Sequence, residues 1–217
     1  MSCLYSIKHM TESNNVFLVD DNDAVRHALR LFLECRNFHV REFSSAESLL
    51  ASVRDTDTGV LVLDVRMQGM SGIELQSELK ARRINLPVIF ITGHGNIQDS
   101  VMALKAGAKD FLEKPFENDV LLQSIKQALQ EENALKQLRA AKISLTSKFE
   151  RLTPREREVM RYIVDGVSNK HLATLLGVSN RTIEVHRSRI MAKMGASSLP
   201  ELVRMALAMD PSQPDQT

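Results

Sequence analysis

Asp64 closes a run of apolar β-formers, Val60-Leu61-Val62-Leu63, and a loop from Val65 to Gly72 follows at once. Upstream, Val16-Phe17-Leu18-Val19 delivers Asp20-Asp21 in the same way. Downstream, Val88-Ile89-Phe90-Ile91 delivers Thr92, and Phe111-Leu112-Glu113 delivers Lys114. In an open parallel α/β sheet, ligands bind at the carboxyl edge of the strands. Three carboxylates, a hydroxyl and an ammonium gathered there suit a divalent cation and a phosphoryl group. Mg²⁺ takes oxygen ligands in octahedral geometry, commonly one or two carboxylates with waters and phosphate oxygens. A carboxylate can also attack phosphorus to give an acyl phosphate. Singly, each residue has a plainer reading as a helix cap, a turn former or a solvated lysine.

These residues can converge only if the apolar runs are strands of one sheet. Strands are predicted at 16–19, 39–43, 60–63, 88–91 and 110–113. Helices are predicted at about 24–35, 45–53, 73–82, 98–106 and from 117 onward. Strands alternating with helices predict an α/β fold with a parallel, doubly wound sheet. Right-handed crossovers put every strand end on one side. The expected topology is flavodoxin-like (βα)5, with strand order 2-1-3-4-5. Residues 1–14 carry weak patterning and read as a loose extension.

From 117 the helical pattern continues through Leu121, Leu122, Ile125, Leu129, Leu135 and Leu138, with no Gly or Pro before Pro154. It predicts a helical linker over 129–150, a candidate for pairing with a second chain; a flexible tether is the alternative. Thr153-Pro154-Arg155-Glu156 then combines a cap, a first-turn proline and a capping box. Short helices follow at about 154–165, 169–176, 180–193 and 199–208, making an all-α unit over 151–210. Residues 211–217 read as a disordered tail.

Within that unit Ala173, Gly177 and Ile183 have the spacing of a helix-turn-helix: a small residue for close approach, a glycine for the turn, an aliphatic anchor. At about 100° per residue, Ile183, Ile190 and Met194 share one face of the third helix. Glu184, Val185, Ser188, Arg189 and Ala192 fall broadly opposite, free to enter a major groove. Lys170, Arg181, Thr182, Arg187, Arg189 and Lys193 suit DNA phosphates. His186, at the core flank, reads as structural.

Composition narrows the class. Hydrophobic residues at 43% and charged residues at 25% are ordinary for a globular protein. No apolar stretch approaches the ~20 residues of a membrane span, and the first ten residues lack a signal-peptide core. The expected location is the cytoplasm, with Cys3 and Cys35 reduced and Cys35 in the core. Residues 1–128 hold 14 Lys and Arg against 17 Asp and Glu, whereas 129–217 hold 14 against 10. An acidic part followed by a basic one fits a metal-binding domain joined to a nucleic-acid reader.

The strand-end residues, in this order and spacing, resemble the receiver domain of two-component response regulators, over residues 15–128. Residues 151–210 resemble the LuxR-type helix-turn-helix domain, through Leu152 to Val159, the turn around Gly177, and Val185-His186-Arg187-Ser188. Together the chain is similar to NarL/FixJ-type response regulators. The resemblance implies Asp64 as phosphoacceptor, with Mg²⁺ or Mn²⁺ held by Asp20, Asp21, Asp64 and the Arg66 backbone carbonyl. Lys114 and Thr92 would contact phosphoryl oxygens, and Phe111 would be the aromatic switch. A cis Lys114–Pro115 bond would aim the lysine. Arg66 and His94 stand where relatives tune phosphoryl lifetime, or are loop side chains without a role.

The resemblance also implies bases read by Glu184, Val185 and Ser188, and a small dimer contact on the last helix. Implied partners are a sensor histidine kinase, promoter double-stranded DNA, a second copy upon phosphorylation, and RNA polymerase. No membrane partner is expected. The chain would have self-directed phosphoryl transfer and autodephosphorylation without being a conventional enzyme. One departure is visible: relatives usually read Met-Pro-Gly after the acceptor, and this chain reads Met67-Gln68-Gly69. Loss of the fixed proline φ should loosen that loop.

Two other classes compete. A ligand-sensing or phosphorylation-independent LuxR-type factor would want an apolar pocket, yet the chain has no Trp, two Tyr and acidic strand ends. A phosphatase of haloacid-dehalogenase type would need a second Asp two residues after the nucleophile, where this chain has Arg66.

Overall fold

The computed structural model describes residues 14–93 and 107–209. The expected helix at 98–106, His94, most of the N-terminal extension and the tail at 211–217 lie outside the described residues. Two compact units divide the chain, Met1–Ala134 and Leu135–Thr217.

The first unit is built on five strands: β1 (Asn15–Val19), β2 (His39–Phe43), β3 (Val60–Asp64), β4 (Val88–Thr92) and β5 (Asp110–Glu113). Their order is β2-β1-β3-β4-β5, and all four pairings are parallel. Because side chains alternate across a strand, each strand feeds two cores. Phe17, Val19, Leu61, Leu63 and Phe90 point to one face, against Ala46 and Leu49 of helix α2 (Ala46–Ser52) and Leu75 and Leu79 of α3 (Gly72–Ala81). Val16, Leu18, Val60, Val62, Ile89 and Ile91 point to the other. There they meet Leu29 and Leu33 of α1 (Asp23–Glu34) and Leu121, Ile125 and Ala128 of α4 (Asn118–Glu150). Burial on both faces explains why β1, β3 and β4 read as unbroken apolar runs.

The helix starts follow from local chemistry. Asn22 caps α1 by accepting from Ala24 and Val25 N–H groups, and Ser45 and Ser71 close capping boxes at α2 and α3. Gly72 has a packing reason: a Cβ there would stand 2.3 Å from the Asp64 carbonyl oxygen and 3.1 Å from the Phe90 ring. Without a side chain, α3 can begin directly beneath the end of β3. Cys35 corrects an expectation. It is the C-cap residue of α1, where the periodic face has ended, and it is exposed rather than core.

The expected linker helix is present. Helix α4 runs 33 residues, and Leu135, Leu138 and Ile143 along it are exposed. The second unit adds α5 (Pro154–Val164), α6 (Asn169–Leu176), α7 (Asn180–Met194) and α8 (Leu199–Leu207). Its core gathers Leu152, Val159, Ile163, Leu172, Ile183, Ile190, Met194 and Leu202, with Leu145 and Phe149 packed against it. Sequence placed those last two residues in the linker. The Arg157 guanidinium lies over the Phe149 ring and donates to the Glu150 carbonyl, so the last turns of α4 pack with this unit.

Candidate functional site

The carboxyl edge of the sheet brings the acidic residues together. The strand pairing sets Asp64 level with Ile91, and Thr92 level with Glu113. Asp20 follows β1 directly and is fully buried; Asp64 is buried, and Asp21 is exposed. One carboxylate oxygen from each of the three lies within 4.8 Å of the others. Lys114 reaches in from the end of β5, its Nζ donating to Asp20 Oδ2 at 2.7 Å and to Asp64 Oδ2 at 2.9 Å. The Lys114–Pro115 peptide is cis.

Backbone donors orient the other carboxylate oxygens. Asn22 N–H donates to Asp20 Oδ1 at 2.8 Å, and Arg66 N–H to Asp64 Oδ1 at 3.1 Å. Gln68 N–H donates to Asp21 Oδ2 at 3.1 Å. Arg26 Nη1 holds the Asp20 carbonyl at 2.7 Å. Burial pushes the Asp64 carboxyl up from its ordinary value, against the hydrogen bond and charge of Lys114. Burial acts downward on Lys114, yet the hydrogen bonds and charges of Asp20 and Asp64 outweigh it and hold the ammonium above its ordinary value. These hydrogen bonds set one ammonium against three clustered carboxylates. Such an all-oxygen set with surplus negative charge fits a hard divalent cation.

Thr92 is 1% exposed at the end of β4, and its carbonyl accepts from Lys114 N–H at 2.7 Å. Phe111 is half-buried, its ring centroid 6.5 Å from that of Phe90 and tilted by 46°. The sequence missed Glu47, at the start of α2, which accepts from Met70 N–H of the acceptor loop at 3.2 Å. A surface glutamate in a first helical turn carries no signal of that contact.

In the second unit, α6 ends on Gly177 in the left-handed conformation, φ 65°, and Ser179 caps α7 two residues later. That is the turn expected from the sequence. Ile183, Ile190 and Met194 are wholly buried, while Glu184, Val185, Ser188 and Arg189 are exposed, as are Lys170 and Arg181. Asn180 Nδ2 donates to Glu184 Oε1 at 3.1 Å, and the Thr182 and Ser179 hydroxyls lie 2.8 Å apart. Arg187 Nη1 is held by Asn169 Oδ1 at 2.7 Å.

Lys193 has a partner that its sequence reading did not foresee. Its Nζ lies 2.6 Å from Oε2 of Glu156, which is 3% exposed and also accepts from Thr153 N–H at 2.8 Å. Burial acts upward on the Glu156 carboxyl, but the Lys193 hydrogen bond and the Thr153 donors overcome it and hold the pKa at about 2. The capping box at 153–156 was legible as a four-residue pattern; its partner 37 residues away was not.

Comparison with known proteins agrees with both halves. Residues 16–126 match the response regulator receiver domain, and residues 150–206 match the bacterial regulatory proteins of the luxR family. The chain is 46% identical over 193 residues to the transcriptional regulatory protein FixJ of Rhizobium meliloti, covering 89% of this chain and 95% of that protein. Among solved structures, response regulator StyR superposes with a TM-score of 0.80 at 44% identity, covering 89% of this chain and 98% of the other. Full-length FixJ from B. japonicum superposes with a TM-score of 0.59 at 39% identity, covering 90% and 96%.

Proposed function

Because the chain belongs to the FixJ/NarL-type response regulators, phosphorylation-dependent regulators of transcription, we propose that Asp64 takes a phosphoryl group from a sensor histidine kinase. The observation that carries this is Lys114 bridging Asp20 and Asp64 at hydrogen-bonding distance. A donor phosphorus approaching Asp64 would find a nucleophilic oxygen, a fixed ammonium and a metal-binding carboxylate set in one place. Asp20, Asp21, Asp64 and the Arg66 backbone carbonyl would hold Mg²⁺ or Mn²⁺, which supplies charge neutralisation at the phosphoryl oxygens when bound. Autodephosphorylation would be the return step. Incubation with labelled acetyl phosphate and Mg²⁺ tests the site: label on Asp64 that a chelator abolishes is expected. Label elsewhere, or undiminished by chelation, contradicts the assignment.

The output is DNA binding through the exposed face of α7, in the cytoplasm, at promoters where RNA polymerase is also engaged. Glu184, Val185 and Ser188 read bases; a glutamate can accept from cytosine, and a valine can meet a thymine methyl. Lys170, Arg181, Thr182, Arg187 and Arg189 contact phosphates, with Arg187 held ready by Asn169. A unit this small contacts one half-site, so a dimer on a two-fold site supplies the affinity.

Lys193 takes a different part, because its ammonium is tied to Glu156. It fixes the end of α7 to the start of α5 instead of neutralising phosphate. Lys193→Gln should therefore weaken DNA binding while leaving the slope of log affinity against log salt unchanged. A slope shallower by ~0.9 would restore Lys193 to the phosphate contacts. Arg189→Ala should show that shallower slope. The tie also has an acid signature. Glu156 is held near 2 against an ordinary 4.5, so its contribution to stability is complete above 4.5 and is lost as pH falls toward 2.

A further inference from the structure

Residue 68, where this chain lacks the proline usual in its relatives, was expected to loosen the acceptor loop. The structure places a hydrogen bond there that proline could not form. Gln68 N–H donates to Asp21 Oδ2 across 47 residues of sequence. Two residues on, Met70 N–H donates to Glu47 Oε1 at 3.2 Å. The Glu47 carboxyl is lowered from its ordinary value by its own backbone N–H, by Met70 N–H and by the Ser45 hydroxyl, so it is an ionised acceptor at neutral pH. The acceptor loop is thus bound at two backbone donors by carboxylates from two other segments.

Asp21 gains most from this arrangement. Asp20 and Asp64 are buried and held by Lys114, whereas Asp21 is exposed, and an exposed side chain must otherwise be ordered when a cation arrives. The bond from Gln68 holds one Asp21 oxygen and leaves the other unclaimed by that bond, while the carboxylate keeps an oxygen within 4.8 Å of those of Asp20 and Asp64. The donor is backbone, so any residue except proline supplies it.

We propose that the Gln68 backbone N–H is a positioning group for the divalent cation, latching Asp21 to the acceptor loop before the metal binds. This rests on the reading of the carboxylate cluster as a Mg²⁺ site. The test is calorimetric titration of the full chain with MgCl₂, without phosphodonor, in wild type, Gln68→Ala and Gln68→Pro. Circular dichroism and thermal melting check that each variant is folded. Gln68→Ala should match wild type, and Gln68→Pro should bind Mg²⁺ about fivefold more weakly, the factor for one ordinary hydrogen bond at a solvent-exposed position. Equal or tighter binding by Gln68→Pro overturns the proposal, and so does an equal loss in Gln68→Ala, which would assign the effect to the side chain.

Amide exchange supplies a readout independent of metal. The residue 68 amide should be protected in metal-free wild type and lose that protection in Asp21→Ala. If Gln68→Pro does not fold, this measurement decides: protection lost with Asp21 supports the latch, and no protection in wild type overturns it. Wild type that takes up no Mg²⁺ overturns the metal reading and the proposal together. Mg²⁺ binding that is equal in all three proteins overturns the proposal alone.

Discussion

Asp64→Ala is expected to take no label from acetyl phosphate and Mg²⁺, and its DNA affinity should not respond to phosphodonor. The substitution removes the nucleophilic oxygen and one side of the bridge made by Lys114. Asp20 does not replace that oxygen: it is fully buried, with one oxygen on Lys114 and the other on Asn22 N–H. Loss of chemistry must be separated from loss of fold, and the sign of the Asp64 shift allows that. Folding raises the Asp64 pKa, chiefly through burial. A carboxyl raised by folding disfavours the folded state once it is ionised, at pH above its unfolded value. Replacing it with a neutral residue removes that cost at neutral pH. Lys114 loses one of its two acceptors in return, so Asp64→Ala should melt close to wild type while carrying no phosphate. Melting several degrees lower would show that Asp64 supports the fold. Full labelling would move the acceptor elsewhere.

Thr92→Ala should separate phosphorylation from response. Thr92 lies at the end of β4, buried, its strand partnered to β5 so that it stands level with Glu113. Phosphorylation is taken to shift an existing equilibrium. The Thr92 hydroxyl would be drawn to a phosphoryl oxygen, and Phe111, half-buried beside Phe90, would turn inward. A hydrogen bond to a charged group contributes about 1.5–3 kcal/mol, so losing it should cost the switch about 10- to 100-fold. Thr92→Ala should still be labelled on Asp64, yet dimerise and bind DNA poorly by that factor. Sedimentation of wild type and variant, each with and without phosphodonor, measures it. Equal dimerisation of the two phosphorylated proteins would remove Thr92 from the switch.

The sheet and the acidic site were legible because they are written locally. Val60 to Leu63 is a short apolar run of β-branched and leucine residues, as a strand buried on both faces requires, and the residue ending it is placed by the same run. Gly177 and the Thr153–Glu156 box likewise declare a turn and a helix start within four residues. What escaped was set by tertiary contact. Cys35 sits in helical sequence, but the helix ends there and the side chain faces solvent. Lys193 shows charge and helix face in the sequence, but not its ion pair with Glu156, which α5 brings near. Leu145 and Phe149 carry the same periodicity as the linker before them, so sequence could not say which core they join. Gln68 read as a lost constraint, since a backbone N–H shows its partner only once Asp21 is in place.

The central claim is that a phosphoryl group at Asp64 controls DNA binding by the second unit. The most direct test is the affinity of the full chain for a duplex selected from random sequence by the phosphorylated protein, measured with and without acetyl phosphate and Mg²⁺ at fixed salt. Linking two half-site contacts in a dimer can raise avidity by ~100-fold or more. Wild type should gain affinity of that order on phosphorylation, and Asp64→Ala should gain none. Equal affinity of phosphorylated and unphosphorylated wild type for that duplex would contradict the account.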